Sequence, residues 1–318
     1  MNGCAMKYDE LRKKISIVVP VKDEEMAIKP FLKEIVDKLK NIKYALEIIF
    51  VDDGSSDNTL STIKKISVTQ KEVKYISFSR NFGKEAAMSA GIDYATGDAV
   101  IPMDVDLQDP PIVIHEFIRL WEEGFDTVYG YRLSRNEDTA SKKMTAGMFY
   151  KIFNKISDNP IPYNAGDFRL IDRKVVDILR KMPEQNRFMK GLFAWPGFKT
   201  TSVPYHRPAR KHGKTKFNAW KLWNFAVDGI TSFSTWPLRI WSYIGGGIAA
   251  ISLAFMGFII LRTLVSGRDF PGYASIMSAV LFFGAMQLIS IGVLGEYIGR
   301  LYMEVKKRPN YIVSEKNI

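Results

Sequence analysis

Residues 97–111, GDAVIPMDVDLQDPP, carry an apolar run that ends in Asp104 and Asp106, with Gln108 and Asp109 just beyond. Carboxylates at this spacing suit a hard divalent cation, Mg2+ or Mn2+, which takes oxygen ligands. An ion held by so few carboxylates usually completes its shell with substrate phosphates, so the pattern points to a phosphate-containing donor. Asp109-Pro110-Pro111 supplies turn chemistry after the pair. An isolated Asp-x-Asp equally suits an ordinary solvated turn, and the surrounding elements decide between the two readings.

Those elements follow a regular order. Residues 15–21, ISIVVPV, and 46–51, LEIIFV, are Val- and Ile-rich runs ending in polar residues, as in strands covered on both faces. Residues 26–39 between them have helical spacing. Residues 52–59, DDGSSDNT, follow the second strand and open another helix, with Ser and Asp available as N-caps. The alternation predicts an open α/β sheet that binds its ligand outside the carboxyl ends of the strands.

Four segments resemble, in order and spacing, the inverting family 2 glycosyltransferases of the GT-A fold: Pro20-Val21-Lys22-Asp23-Glu24, Val51-Asp52-Asp53-Gly54-Ser55-Ser56-Asp57, Ser79-Arg80-Asn81-Phe82-Gly83-Lys84 and Met103-Asp104-Val105-Asp106-Leu107-Gln108-Asp109-Pro110-Pro111. Within that family the chain is similar to the polyisoprenyl-phosphate glycosyltransferases. Residues 295–309, GEYIGRLYMEVKKRP, resemble the bacterial bactoprenol glucosyltransferases of that group.

The resemblance implies a Rossmann-like open mixed sheet and a metal site, for Mg2+ or Mn2+, at Asp104, Asp106 and Gln108. It implies a nucleotide-sugar pocket lined by Pro20, Val21, Glu24, Asp52, Asp53 and Asp104, with Arg80 and Lys84 adding charge toward the diphosphate. It makes Asp167, in NAGDFRL, the catalytic carboxylate. It also matches Arg210 and Lys216, in RKHGKTK, to a basic Arg-x-x-Gly-x-Ser/Thr-Lys loop that, with Arg132 and Arg207, would receive a lipid phosphate. The implied donor and acceptor are UDP-glucose and undecaprenyl phosphate. A mannose synthase using GDP-mannose is the alternative, and a membrane-tethered nucleotide-sugar sensor without turnover is a further one. A phosphate acceptor, with a second pKa of about 6, is largely ionised at neutrality, so Asp167 either orients cationic groups or takes a residual proton. A Gln-x-x-Arg-Trp element, expected of a processive polysaccharide synthase, is missing.

The C-terminal third differs in kind. Residues 240–261 and 270–295 contain no charged residue, and each exceeds the ~20 residues a helix needs to span a bilayer. Trp236, Trp241, Tyr243, Tyr297 and Tyr302 suit the membrane interface. Residues 201–236 carry six Lys/Arg against one acid and residues 300–318 carry five, which places both ends in the cytoplasm by the positive-inside rule. Residues 139–156 and 217–230 are amphipathic and suit interfacial helices, with core packing an alternative for the first. The expected division is a catalytic domain over 1–205, a basic juxtamembrane loop and amphipathic helix over 206–236, two membrane helices over 237–299 and a cytoplasmic tail over 300–318.

The formal charge of +11 fits an anionic membrane surface and phosphate substrates. No nucleic-acid motif accompanies it. The one cysteine, Cys4, excludes an intrachain disulfide, and residues 1–14 lack a signal-peptide pattern. His115, His206 and His212 have no metal-ligand spacing. Gly245, Gly246, Gly247 and Ala249 would allow close helix packing, leaving a homo-oligomer open. The catalytic part is therefore expected in the cytoplasm, on the inner membrane.

Overall fold

A computed structural model describes residues 13–133, 165–185, 187–206, 236–266 and 272–318. Strands β1 (Lys14–Val21), β2 (Ala45–Asp52), β3 (Val73–Phe78) and β4 (Ala99–Pro102) form a parallel core in the order β4-β1-β2-β3. β5 (Thr127–Arg132), β6 (Ala165–Asp172) and β7 (Thr200–Tyr205) extend one edge, and β8 (Val313–Lys316) closes the other, so the sheet reads β7-β5-β6-β4-β1-β2-β3-β8. β6 runs antiparallel to β4 and β5, and β8 antiparallel to β3. This is the open mixed sheet that the sequence predicts.

The helices are α1 (Glu25–Leu39), α2 (Thr59–Thr69), α3 (Lys84–Tyr94), α4 (Ile114–Glu122), α5 (Arg173–Lys181), α6 (Met189–Ala194), α7 (Trp236–Ser266) and α8 (Tyr273–Lys306). Period-two alternation in β1 sends Ile15, Ile17, Val19 and Val21 to one core, with Ile28, Phe31 and Ile35 of α1 and Phe117 of α4. Val18 faces the opposite core, with Met88 of α3, Val176 of α5 and Leu192 of α6. Ile15, Ile17, Val18 and Val19 are fully buried, each contributing roughly 1.5–3 kcal/mol of transfer free energy. α3 lies very close to β1, because a Cβ at Gly91 would fall 2.1 Å from Val18 Cγ1. That contact seats the helix whose first residue is Lys84.

Two local expectations need correction. α2 starts from Asn58, whose side chain makes no capping bond. Asp57 accepts from the Thr59 backbone N–H and from the Glu25 N–H instead, tying the starts of α2 and α1 together. After β4 the chain turns at Leu107, at φ 55°, before Asp109-Pro110-Pro111 is reached. Pro111 opens a short 3-10 turn, Pro111–Val113, leading into α4.

α7 contains the charge-free run 240–261, α8 contains residues 273–295 of the other, and the two helices touch each other. Among the described residues, Ala279–Lys306 is long and apolar enough to cross a membrane, and Tyr243–Ile259 is a shorter apolar stretch. The proposed amphipathic segments 139–156 and 217–230 lie outside the described residues, as does Cys4.

Residues 304–317 return to the sheet. Glu304 Oε1 accepts from the Gln185 N–H at 2.9 Å, and Asn310 donates to the Glu184 carbonyl. Tyr311 stacks on Phe78 at 5.1 Å and donates to Asp93 at 2.8 Å. Ser79 N–H donates to the Ile312 carbonyl, and Tyr75 N–H donates to Asn317 Oδ1. The segment drawn from sequence as a tail is therefore an edge strand of the catalytic sheet, covering the otherwise open side of β3. Tyr311→Ala should lower stability by about 2–3 kcal/mol, through the lost ring packing and hydrogen bond. Thermal unfolding of the detergent-solubilised chain checks this, and an unchanged midpoint would show that the strand is not docked.

Candidate active site

β1 lies between β2 and β4, so a crevice opens at the carboxyl ends of β1 and β4, where the strand order reverses. Three segments far apart in sequence meet there. Lys84, at the start of α3, places its ammonium 2.7 Å from Asp104 Oδ1 and 2.9 Å from Asp104 Oδ2, just after β4. The same ammonium lies 3.0 Å from Asp167 Oδ2, on β6. Burial opposes the ammonium charge, but Asp104 and Asp167 outweigh it and push Lys84 above the ordinary lysine range. Burial likewise opposes ionisation of Asp167, yet Lys84 and then Lys190 hold its carboxyl well below the usual carboxylate range. The Lys84 side chain remains 40% exposed and that of Asp167 20%, so solvent screens part of this attraction. Asp167 Oδ1 is buried and has no hydrogen-bond partner among the described residues.

The other expected donor-side residues take distinct places. Asp106 Oδ1 accepts from the Gln108 N–H at 3.2 Å, closing its own turn, and Gln108 is buried. Asp106 also borders a cavity of about 210 Å³ beside α1, lined by Ala27, Pro30 and Lys33 among others. Asp52 accepts from Ser77 Oγ and from the Ser55 N–H. Asp53 accepts from the N–H groups of Phe82 and Gly83 and so pins the 80–83 loop. Burial raises Asp53's carboxyl despite those donors. Gly54 allows that loop to approach, since φ is +64° and a Cβ would lie 2.7 Å from the Arg80 carbonyl carbon. Pro20 and Val21 end β1, and the Glu24 N–H donates to Thr59 Oγ1. Arg80 is exposed and lies over the Phe82 ring at 4.0 Å, so the structure does not gather it with Lys84.

On the acceptor side Arg132 is 3.9 Å from Asp109 and donates to Tyr205 Oη at 3.2 Å. Tyr205 in turn donates to Asp109. Burial, then the Asp109 charge, pushes the phenol above its ordinary range and keeps that donor protonated. Arg132 also packs on Gly166, the neighbour of Asp167. Arg207, Arg210 and Lys216 lie outside the described residues. No cluster of three or more His, Cys, Asp or Glu suited to a metal occurs among the described residues.

Residues 16–179 match the family model described as glycosyl transferase family 2, and residues 236–301 match the GtrB C-terminal hairpin. The chain belongs to glycosyltransferase family 2. It is 52% identical to an uncharacterized glycosyltransferase of Synechocystis, across 95% of both chains. It is also 52% identical to a prophage bactoprenol glucosyl transferase homolog of Escherichia coli, covering 94% of this chain and 98% of that protein. A bactoprenol glucosyl transferase of Shigella phage SfV is 51% identical over 95% of this chain and 99% of its own length.

In this glycosyltransferase the sequence reading missed Glu85, Arg169 and the Asp109–Tyr205 pair. Arg169 is buried, donates to the Gly166 carbonyl at 2.7 Å and lies 4.1 Å over the Phe193 ring, bracing the β6 segment that carries Asp167. Its signal was its place two residues after Asp167, on the same side of a strand. Glu85 follows Lys84 and accepts from the Met189 N–H at 3.3 Å. Burial, and then the Asp167 charge, push Glu85 up to about 7 from its ordinary 4.5. Between those values the unfolded chain has lost the Glu85 proton while the folded chain keeps it. The native state therefore binds more protons, and this residue's contribution to stability falls as pH rises from 4.5 through 7. Glu85→Gln should flatten that part of the stability profile, as measured by urea unfolding at a series of pH values. An unchanged slope would show that Glu85 is ionised throughout.

Proposed function

We propose that the chain transfers one glucose from UDP-glucose to undecaprenyl phosphate at the cytoplasmic face of the inner membrane, releasing UDP and leaving a polyprenyl-phosphate sugar. The observation that carries this reading is the near full-length likeness to proteins named bactoprenol glucosyl transferase. A helix long and apolar enough to cross a membrane supports it, because a long isoprenoid keeps its phosphate at the membrane surface. Docking the end of that helix on the catalytic sheet brings the site to the lipid rather than extracting the lipid.

The chemistry is a single displacement. An oxygen of the acceptor phosphate attacks the anomeric carbon as the bond from that carbon to the donor diphosphate breaks, and the configuration inverts. Asp104 and Asp106 offer hard oxygen donors, and Asp104 already accepts a cation, the Lys84 ammonium, so the donor set fits Mg2+ or Mn2+. Those two residues would hold the ion, with Gln108 beside them, and once bound it would neutralise charge developing on the diphosphate. Pro20, Val21, Glu24, Asp52 and Asp53 border the nucleotide side, and Arg80 would have to leave the Phe82 ring to reach the diphosphate. Arg132 serves the lipid phosphate, joined by Arg207, Arg210 and Lys216.

Asp167 is the catalytic carboxylate of this scheme, and its charge environment assigns it a particular part. A carboxyl held ionised by Lys84 and Lys190 is a weak base, and the acceptor phosphate needs little deprotonation at neutrality. Asp167 then keeps Lys84 in place and orients the cations that meet the two phosphates. Asp167→Asn should retain UDP-glucose binding while lowering turnover by about 100-fold or more. The test is transfer of labelled sugar to undecaprenyl phosphate by the purified chain with Mg2+ or Mn2+, from UDP-glucose and from GDP-mannose. Glucosyl lipid from UDP-glucose alone is expected. Product only from GDP-mannose would replace the donor assignment, and full turnover by the Asp167→Asn chain would remove Asp167 from the site.

A further inference from the structure

We infer that Lys84 is an internal counter-cation that guards the metal carboxylate, so that a divalent ion enters productively only together with the donor diphosphate. The inference rests on the reading of Asp104 as a metal ligand. The ammonium bridges both oxygens of Asp104, at 2.7 and 2.9 Å, and reaches Asp167 at 3.0 Å. Both oxygens of Asp104 share the same lysine, so the ammonium stands beside any ion that this carboxylate would bind. A divalent ion arriving alone would have to break this bridge and stay close to a displaced positive charge. An ion arriving with a diphosphate brings acceptor oxygens with it, and these give the released ammonium a new partner. The exchange is then favourable as a set and unfavourable step by step, which is positive coupling between metal and nucleotide.

The placement of Lys84 suits this exchange. It is the first residue of α3, preceded by Gly83 at φ 102°, and its loop is pinned by Asp53 through the Phe82 and Gly83 N–H groups. The backbone is held while the four-carbon side chain, 40% exposed, keeps freedom to swing. The existing contact to Asp167 Oδ2, at 3.0 Å, gives Lys84 a partner to keep after it leaves Asp104.

The test reads Mn2+ binding, not turnover. Free Mn2+ is followed by electron paramagnetic resonance in titrations of the purified full chain, with and without UDP. The wild type should bind Mn2+ weakly alone and strongly with UDP. Lys84→Met should bind Mn2+ without UDP at least about tenfold more tightly than the wild type, and its dependence on UDP should shrink by the same factor. Lys84→Arg, which keeps a cation, should restore the dependence. Equal Mn2+ affinities of wild type and Lys84→Met without nucleotide would overturn the inference. So would a Lys84→Met chain of native circular dichroism that binds no Mn2+ under either condition. Asp104→Asn separates the two levels of the argument. If it leaves UDP-dependent Mn2+ binding intact, the metal assignment falls and the guard with it.

Discussion

The ammonium of Lys84 between Asp104 and Asp167 is the interaction around which the site is assembled. It joins the start of α3, the loop after β4 and the middle of β6. They belong to three separate elements, so the bridge forms only once the sheet and α3 have packed together. Removing either carboxylate would leave a partly desolvated lysine facing one charge, and removing the lysine would leave two carboxylates facing each other. Burial first, and then the charge of the ionised Asp167, hold neighbouring Glu85 protonated toward neutral pH, with Lys84 opposing them.

The sheet makes this meeting possible. β1 and β4 are parallel neighbours, and antiparallel β6 on the far side of β4 carries Asp167 past the same crevice. Mostly apolar residues on both faces of β1 bury it between two helical layers and fix its register, so the polar groups at its carboxyl end have little freedom. The Gly91–Val18 contact fixes the height of α3, and the Asp53 clamp fixes the loop before it. Arg169 and the Arg132–Tyr205–Asp109 chain brace the opposite wall.

The C-terminal strand adds a mechanical link. α8 ends at Lys306, and within ten residues the chain is hydrogen-bonded to β3. A helix apolar enough for a membrane is thereby joined to the catalytic sheet on the edge opposite β7. The sheet, rather than a linker, sets the distance between this apolar helix and the carboxylates.

The sequence by itself determined the sheet's parallel core, the helices between its strands and the segments that carry the chemistry. Val and Ile runs with polar ends, and loops rich in Asp, Gly and Ser, report locally on burial and turning. Asp104, Lys84 and Asp167 were each legible as candidates through the likeness to a family, but their contact was not. Lys84 had been assigned to the donor diphosphate, because nothing in SRNFGK says which carboxylate its side chain will reach. Glu85 and Arg169 escaped notice because a charged residue in a sequence looks solvated until the fold buries it. The tail looked like a solvated end because four residues of strand carry too weak a pattern to announce a partner more than 200 residues away. Local pattern depends on neighbours within a turn or a strand, whereas charge pairing, shifted protonation and edge pairing depend on distances that exist only once the chain has folded.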